Sequence, residues 1–324
     1  MIEPMLTSRT THIAVLGDIN ADITLIIPSY PSEGDDCTAR SLQWGSGGSA
    51  LNAAVTFAVL GGHSRLLSRV GRDPTADVAL RVAHQQGIDI SLVQEDEQIA
   101  TGTCAAIISP GGQRTMFSFR GANVAFDSRA ITPELLARIH LLYLSAHALL
   151  EGSQRDAALR AVELANAQGV PIVLDLSTPA IRQCPDDIFQ LLPRLWLLCL
   201  NEDELRLLLP GQDDATAITR LLRYGGRYLA LKQGARGCTL ASGDCRLQVA
   251  PPAVTVIDTT ASGDAFAAGC AWALLHHGSI HESALLGNLL GALTATRPGA
   301  AAALPGRDEL RRRLAPSLQR LLHF

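Results

Sequence analysis

The sequence predicts an α/β fold: a mostly parallel sheet with helices on both faces, and a small separate β sheet beside it. Three observations carry this. From about residue 130 onward, short apolar strands alternate with helical stretches, the rhythm of βαβ units. Those strands ("LLYLSA", "PIVLDLS", "LWLLCLN", "YLALKQ") are continuously apolar, as strands buried on both faces are. In the first 120 residues, paired β runs interrupt the same rhythm.

In chain order, "HIAVLGDINADITLIIP" reads as a strand over Ile13 to Leu16, a glycine turn and a β-rich run over Ile23 to Ile27. "CTARSLQW" suits a strand pairing back on that run. "GSGGSALNAAVTFAVLGG" is a glycine-rich turn and a small-residue helix stopped at Gly61-Gly62. A strand ("SRLLSRVG"), a helix with proline near its start ("PTADVALRVAHQQG") and a strand ("IDISLVQ") follow. Cys104 to Ile108 and Thr115 to Phe119 flank Pro-Gly-Gly, a hairpin signal. The regular half then runs from "LLYLSA" through helix Ser153 to Gln168, "PIVLDLS", a helix in "DDIFQLL" and "LWLLCLN". Helices near Glu202 to Leu209 and Ala215 to Tyr224, the strand "YLALKQ" and the hairpin "GCTLASGDCRLQVA" come next. A β-branched stretch, Val254 to Ile257, leads as a strand into "DTTASGDAF" and the terminal helices. We expect one domain over 1–324, with the small sheet built from about 23–45 and 101–120.

Composition excludes several classes. The 324 residues are 47% hydrophobic and 18% charged, with net charge −4; no global basic field favours nucleic acid. No stretch reaches 18 uninterrupted apolar residues, so no membrane span is expected. "MIEPMLTSRTTH" has an early acid and no apolar core, unlike a signal peptide. The seven cysteines form no C-x-x-C pair or Cys/His zinc spacing. A cytoplasmic, reducing location follows as the expectation. There is no G-x-x-x-x-G-K-[ST] and no G-x-G-x-x-G after the first strand.

"DTTASGDAF", Asp258 to Phe266, reads first as a strand end, a turn and a helix capped by Ser262 or Asp264. Capping leaves its two aspartates unexplained. Small residues at Ala261, Ser262 and Gly263 let backbone N–H groups approach a ligand. At a helix N-terminus these form an anion site. An aspartate there is expected to have a lowered pKa and to accept a proton from a substrate hydroxyl as a phosphoryl group moves.

At these residues the chain resembles the PfkB, or ribokinase-like, carbohydrate kinases, whose signature is D-T-x-[GA]-A-G-D-x-F; only Ser262 departs. The resemblance extends along nearly the whole chain. It implies a three-layer ribokinase-like sandwich with a β lid, and an ATP- and Mg²⁺-dependent kinase. It makes Asp264 the general base, with Ala261, Ser262 and Gly263 in the anion hole. "NAD" at Asn20 and Asp22 looks like the family's sugar-hydroxyl site, and "GSGGSALN" like its first signature, with Gly47, Gly48 and Asn52 at the sugar. "NEDE" resembles N-x-x-E, placing Asn201 and Glu204 around Mg²⁺ and the triphosphate; an acidic helix start accounts for it equally. "LKQGARG", with Lys232, Gly234 and Gly237, resembles the nucleotide-lining strand and loop, and Asn288 falls near the adenine. Arg297 to Ala300 would close the nucleotide pocket. In many members this loop and the first aspartate hold a monovalent cation such as K⁺, here implying Asp258 and the Thr260 carbonyl.

The substrate is less legible. The ribokinase branch usually reads G-G-K-G-A-N, where Ser49-Ala50-Leu51 stands here. Its glutamate after the lid has His147 as nearest counterpart. Arg120 at the pocket mouth would suit an acid sugar; Phe117 or Phe119 would suit a nucleoside base. A sugar or sugar-acid kinase, a nucleoside kinase of the same fold and a non-catalytic sugar sensor therefore all stand as readings. Trp44 and "TLII" would serve a lid-to-lid homodimer or cover the sugar.

Overall fold

The computed structural model describes residues 10–110, 114–243 and 245–322. The strands are β1 (His12–Leu16), β2 (Asn20–Ile26), β3 (Ser41–Gly47), β4 (His63–Gly71), β5 (Val93–Asp96), β6 (Thr103–Ile108) and β7 (Arg114–Phe119). After these come β8 (Leu141–Ser145), β9 (Ile172–Asp175), β10 (Leu197–Asn201), β11 (Tyr228–Lys232), β12 (Cys238–Ser242) and β13 (Cys245–Val249). The large sheet has the order β13-β12-β11-β10-β9-β8-β1-β4-β5. It is parallel except where β12 and β13 fold back as a hairpin. The second sheet, β3-β2-β6-β7, is the lid expected from the sequence.

Alternation explains the continuously apolar strands. Ile13, Val15, Tyr143, Val173 and Cys199 point into one core. Ala14, Leu16, Leu144, Leu174 and Leu200 point into the other. Each strand thus feeds a layer of helices on either side of the sheet.

Three expectations are corrected. The chain at Val254 to Ile257 forms no strand. It crosses the mouth of a cavity, with Val256 and Ile257 about 60% exposed, because β13 already ends the sheet. "CTARSLQW" forms a strand only from Ser41, although the Arg40 N–H already bonds the Ile26 carbonyl. "IDISLVQ" contributes one isolated bridge at Asp89, and its strand begins at Val93.

The helix Ser262–Leu275 is buried from Ala265 to Leu274, so its sequence is apolar all round. It packs closely on helix Ile280–Thr294. A Cβ on Gly287 would lie 2.5 Å from Cys270 Sγ and 3.0 Å from Phe266. That contact sets where the N-terminus of helix Ser262–Leu275 stands. Gly287→Val is therefore expected to cost about 1–3 kcal/mol through overpacking. Urea unfolding measures it; an unchanged or raised midpoint would contradict this packing account.

Candidate active site

The motif's turn ends in a strained residue. Ala261 is the N-cap of helix Ser262–Leu275, with φ of 62°. This left-handed conformation costs about 1–2 kcal/mol for a residue with a Cβ. The expected side-chain cap is absent: neither Ser262 nor Asp264 caps the helix. Ser262 Oγ is buried without a hydrogen bond. The Ser262 N–H closes the turn on the Thr259 carbonyl at 3.3 Å. Gly263 and Asp264, next along the first turn, have no intrahelical acceptor for their N–H groups.

This helix start divides two regions. On one side, a cavity of about 620 Å³ is lined by Ser262, Gly263, Asn201, Lys232 and Asn288, with Gly234 and Gly237 also in its wall. Asn288 Nδ2 is anchored on the Val249 carbonyl at 2.9 Å. On the other side, Asp264 Oδ2 accepts a 2.7 Å bond from Asn52 Nδ2. Asp22 lies within electrostatic reach of Asp264. The Oδ1 atoms of Asp22 and Asn52 are both buried acceptors without partners.

Asp264 does not have the lowered pKa expected at a helix N-terminus. Burial first, then the charge of Asp175, raises it to about 7, against the opposing pull of Asn52 and Lys232. The macrodipole is thus outweighed by desolvation. Burial likewise raises Asp22 to about 7.

Behind the helix start lies a network that the sequence did not reveal. Asp175, at the end of β9, accepts from Tyr143 Oη at 2.9 Å and from Lys232 Nζ at 2.7 Å. A Cβ on Gly263 would be 3.4 Å from Lys232 Nζ, so the ammonium sits directly beside the turn. Burial works against its charge, but Asp175 and Glu204 hold it firmly protonated. The available signal was one acid closing the otherwise apolar run "PIVLD".

Other expected residues fall as follows. Asn201 and Glu204 bond each other's backbone N–H at 2.8 Å in a reciprocal capping box. Burial raises the Glu204 pKa, and Lys232 opposes it. Asn20 Oδ1 accepts from Asn123 Nδ2 at 3.1 Å, and Asn123 also pins the Ile19 backbone. Gly48 has φ of 95°, and a Cβ there would meet the Asp18 carbonyl at 2.3 Å; one on Gly47 would overlap the Asp22 carboxylate. Half-buried His147 has a lowered pKa through desolvation, and its Nδ1 lies 3.3 Å from Ser145 Oγ. Arg120 is held by both Asp18 oxygens, at 3.0 and 2.8 Å, while its Nη1 lies 3.5 Å from Glu151 and is buried without a hydrogen bond. Phe117 and Phe119 alternate with Ser118, which shares the Asp22 face with Cys104; the two rings lie on the lid's exposed outer face instead. Asp258 and Thr260 are bonded together at 2.6 Å, and Asp258 also carries Arg114.

Among the described residues, no group of three or more His, Cys, Asp or Glu side chains is placed to hold a metal. No described helix is long and apolar enough to cross a membrane.

A sheet with ligand-lining strand ends, a helix N-terminus at a cavity and a buried carboxylate beside it are features of phosphotransferases. Comparison with known proteins makes the assignment specific. The model of the pfkB family carbohydrate kinases matches residues 10–307. The chain is 32% identical to a fructokinase of Klebsiella pneumoniae over 93% of its length and 98% of the relative's. It is 27% identical to a ribokinase of Haemophilus influenzae, over 92% and 96%. An Arabidopsis thaliana ribokinase solved with ribose and ATP superposes with a TM-score of 0.79 at 23% identity, covering 98% of this chain and all of that one. The chain belongs to the PfkB family. It is a carbohydrate kinase with the ribokinase fold.

Asp264 carries a pH prediction. A carboxyl raised in the fold stabilises the protein below its unfolded value of 3.8 and loses that contribution as pH climbs to about 7. Asp264→Asn should therefore gain stability over the parent at pH 8 but not at pH 3.5, read by urea unfolding. In the parent, kcat/KM should rise with pH through about 7. The variant's kcat should fall at least ~100-fold. Near-normal turnover by Asp264→Asn would exclude it as the base.

Proposed function

We propose that this kinase transfers the γ-phosphoryl group of ATP to a primary hydroxyl of a small, neutral sugar. The observation that carries this is the pairing of Asp264 with Asn52 beside the orphan acceptors of Asp22 and Asn52. Two buried acceptors without donors suit a ligand rich in hydroxyls. Asp264, poised near neutrality, takes the proton of the hydroxyl that attacks. In the Ala261 to Asp264 turn, the N–H groups of Gly263 and Asp264, together with the Lys232 ammonium, face the phosphoryl group and stabilise its charge. Asn20, Asp22, Gly48 and Asn52 hold the sugar, with His147 behind them.

The cavity lined by Gly234, Gly237 and Asn288 suits the adenine nucleoside of ATP. Mg²⁺ would be held chiefly by the phosphates, as this ion usually is, with Asn201 and Glu204 ordering its surroundings. When bound it neutralises phosphate charge. A lid over the sugar excludes water that would compete for the phosphoryl group.

Within the class of small sugars and sugar acids, the pairing of the Arg120 charge with Asp18 favours a neutral substrate, although Arg120 Nη1 remains an unpartnered donor. The outward rings of Phe117 and Phe119 do not offer a nucleoside base a platform on the inner face, which weighs against a nucleoside kinase. A phosphotransfer panel of ribose, fructose, ketodeoxygluconate, inosine and adenosine should favour ribose or fructose. Preference for ketodeoxygluconate or a nucleoside would overturn the neutral-sugar reading. No turnover with any of them, and no thermal stabilisation by a sugar with a non-hydrolysable ATP analogue, would support a sensor instead.

The lid's outer face also fits a second copy of the chain. Leu42, Trp44, Phe117 and Phe119 are 45–58% exposed on one side of one sheet. Burying such a face is worth roughly 25 cal/mol per Å². Sedimentation should show a dimer that Trp44→Glu converts to monomer; a monomeric parent would refute the contact.

A further inference from the structure

Asp258 joins three separate parts of the molecule. Its Oδ1 accepts from Arg114 Nη1 at 2.7 Å, from the Thr260 N–H at 2.9 Å and from Thr260 Oγ1 at 2.6 Å. Its Oδ2 accepts from the Gly299 N–H at 2.9 Å. Arg114 begins β7 of the lid, Thr260 belongs to the anion-hole turn, and Gly299 lies in the loop expected to close the nucleotide pocket. The guanidinium also bonds Thr260 Oγ1. Asp258 is only 10% exposed.

This arrangement is a poor fit to the monovalent cation that the family resemblance implied at Asp258 and Thr260. Both carboxylate oxygens already accept hydrogen bonds, and one carries a guanidinium. A second cation on the same carboxylate would stand within a few ångströms of that charge and be repelled.

We propose that Arg114 takes the place of an activating monovalent cation: its guanidinium supplies the single positive charge at Asp258 and ties the order of the anion-hole turn to the position of the lid. The inference rests on the kinase reading above. Arg114 is a positioning residue in it. It acts through Asp258 and the turn that Asp258 shapes.

The test compares KCl with choline chloride at equal ionic strength. Binding of a non-hydrolysable ATP analogue is read by calorimetry, and phosphotransfer to the best panel sugar by kinetics. The parent should show less than about a twofold difference between the salts. Arg114→Ala should bind the analogue about tenfold more weakly in choline, the scale of one lost charge-assisted hydrogen bond, and KCl should restore part of that loss. Arg114→Lys keeps the charge and should remain near the parent in both salts. Rescue by K⁺ distinguishes lost charge from a lost structural contact, and melting curves confirm that each variant is folded. A parent that needs K⁺ overturns the proposal, as does Arg114→Ala matching the parent in choline or staying equally impaired in both salts. An analogue that binds none of the three proteins in either salt removes the kinase reading itself, and the inference falls with it.

Discussion

The site depends on one largely buried positive charge. Lys232 is the only lysine in the sequence, and its ammonium lies among the carboxylates of Asp175, Glu204 and Asp264. Three buried acids without a cation would repel one another and would each be costly to ionise. Lys232 relieves that repulsion while bonding only Asp175, at 2.7 Å. Asp264 is left free of a direct ion pair, with Asn52 as its one described hydrogen-bond partner. A direct lysine contact would hold Asp264 ionised and lower its basicity. At one remove, Lys232 moderates the pKa without abolishing the rise caused by burial.

The N-terminus of helix Ser262–Leu275 then has two working sides. Ser262 and Gly263 line the cavity, whereas Asp264 reaches Asn52 on helix Ser49–Val59. A group transferred between the two sides passes the first helical turn, where N–H groups and macrodipole favour negative charge. The fold holds this geometry at a cost. Ala261 is left-handed, Ser262 Oγ is unsatisfied and Asp264 is half-buried beside other acids. Such concentrated strain persists where surrounding packing over-determines it. Here that packing is the close contact of Gly269 and Gly287 across two buried helices.

Much of this was readable in the residues. Strand alternation and the hairpin signal located both sheets, because burial on two faces leaves a compositional mark. The nine-residue motif located the turn and the carboxylate of Asp264 beside it. Three things escaped for physical reasons. Asp175, Tyr143 and Asn123 act through contacts 32 to 104 residues away in sequence, and no local pattern records such partners. The pKa of Asp264 depends on burial and on charges supplied by other strands, so its position at a helix N-terminus pointed the wrong way. The faces of β7 were also hidden: the alternation of "RTMFSF" marks a strand but does not say which side meets the sugar. Register against β6 and β2 decides that.

The same coupling bears on the substrate. Ser49 and His147 looked like two independent departures from the ribokinase pattern, one replacing a lysine and the other standing for a glutamate. In the fold both meet Ser145, whose Oγ lies 2.7 Å from Ser49 Oγ and 3.3 Å from His147 Nδ1. They are one network. Its members are neutral, since burial lowers the His147 pKa and so favours the uncharged ring. Replacing a cation and an anion together by a hydroxyl and a neutral imidazole preserves the charge balance of this region. What changes is the hydrogen-bonding pattern: fixed donors and acceptors give way to groups that can do either. For the neutral sugar proposed above, discrimination would then rest on hydroxyl geometry more than on charge.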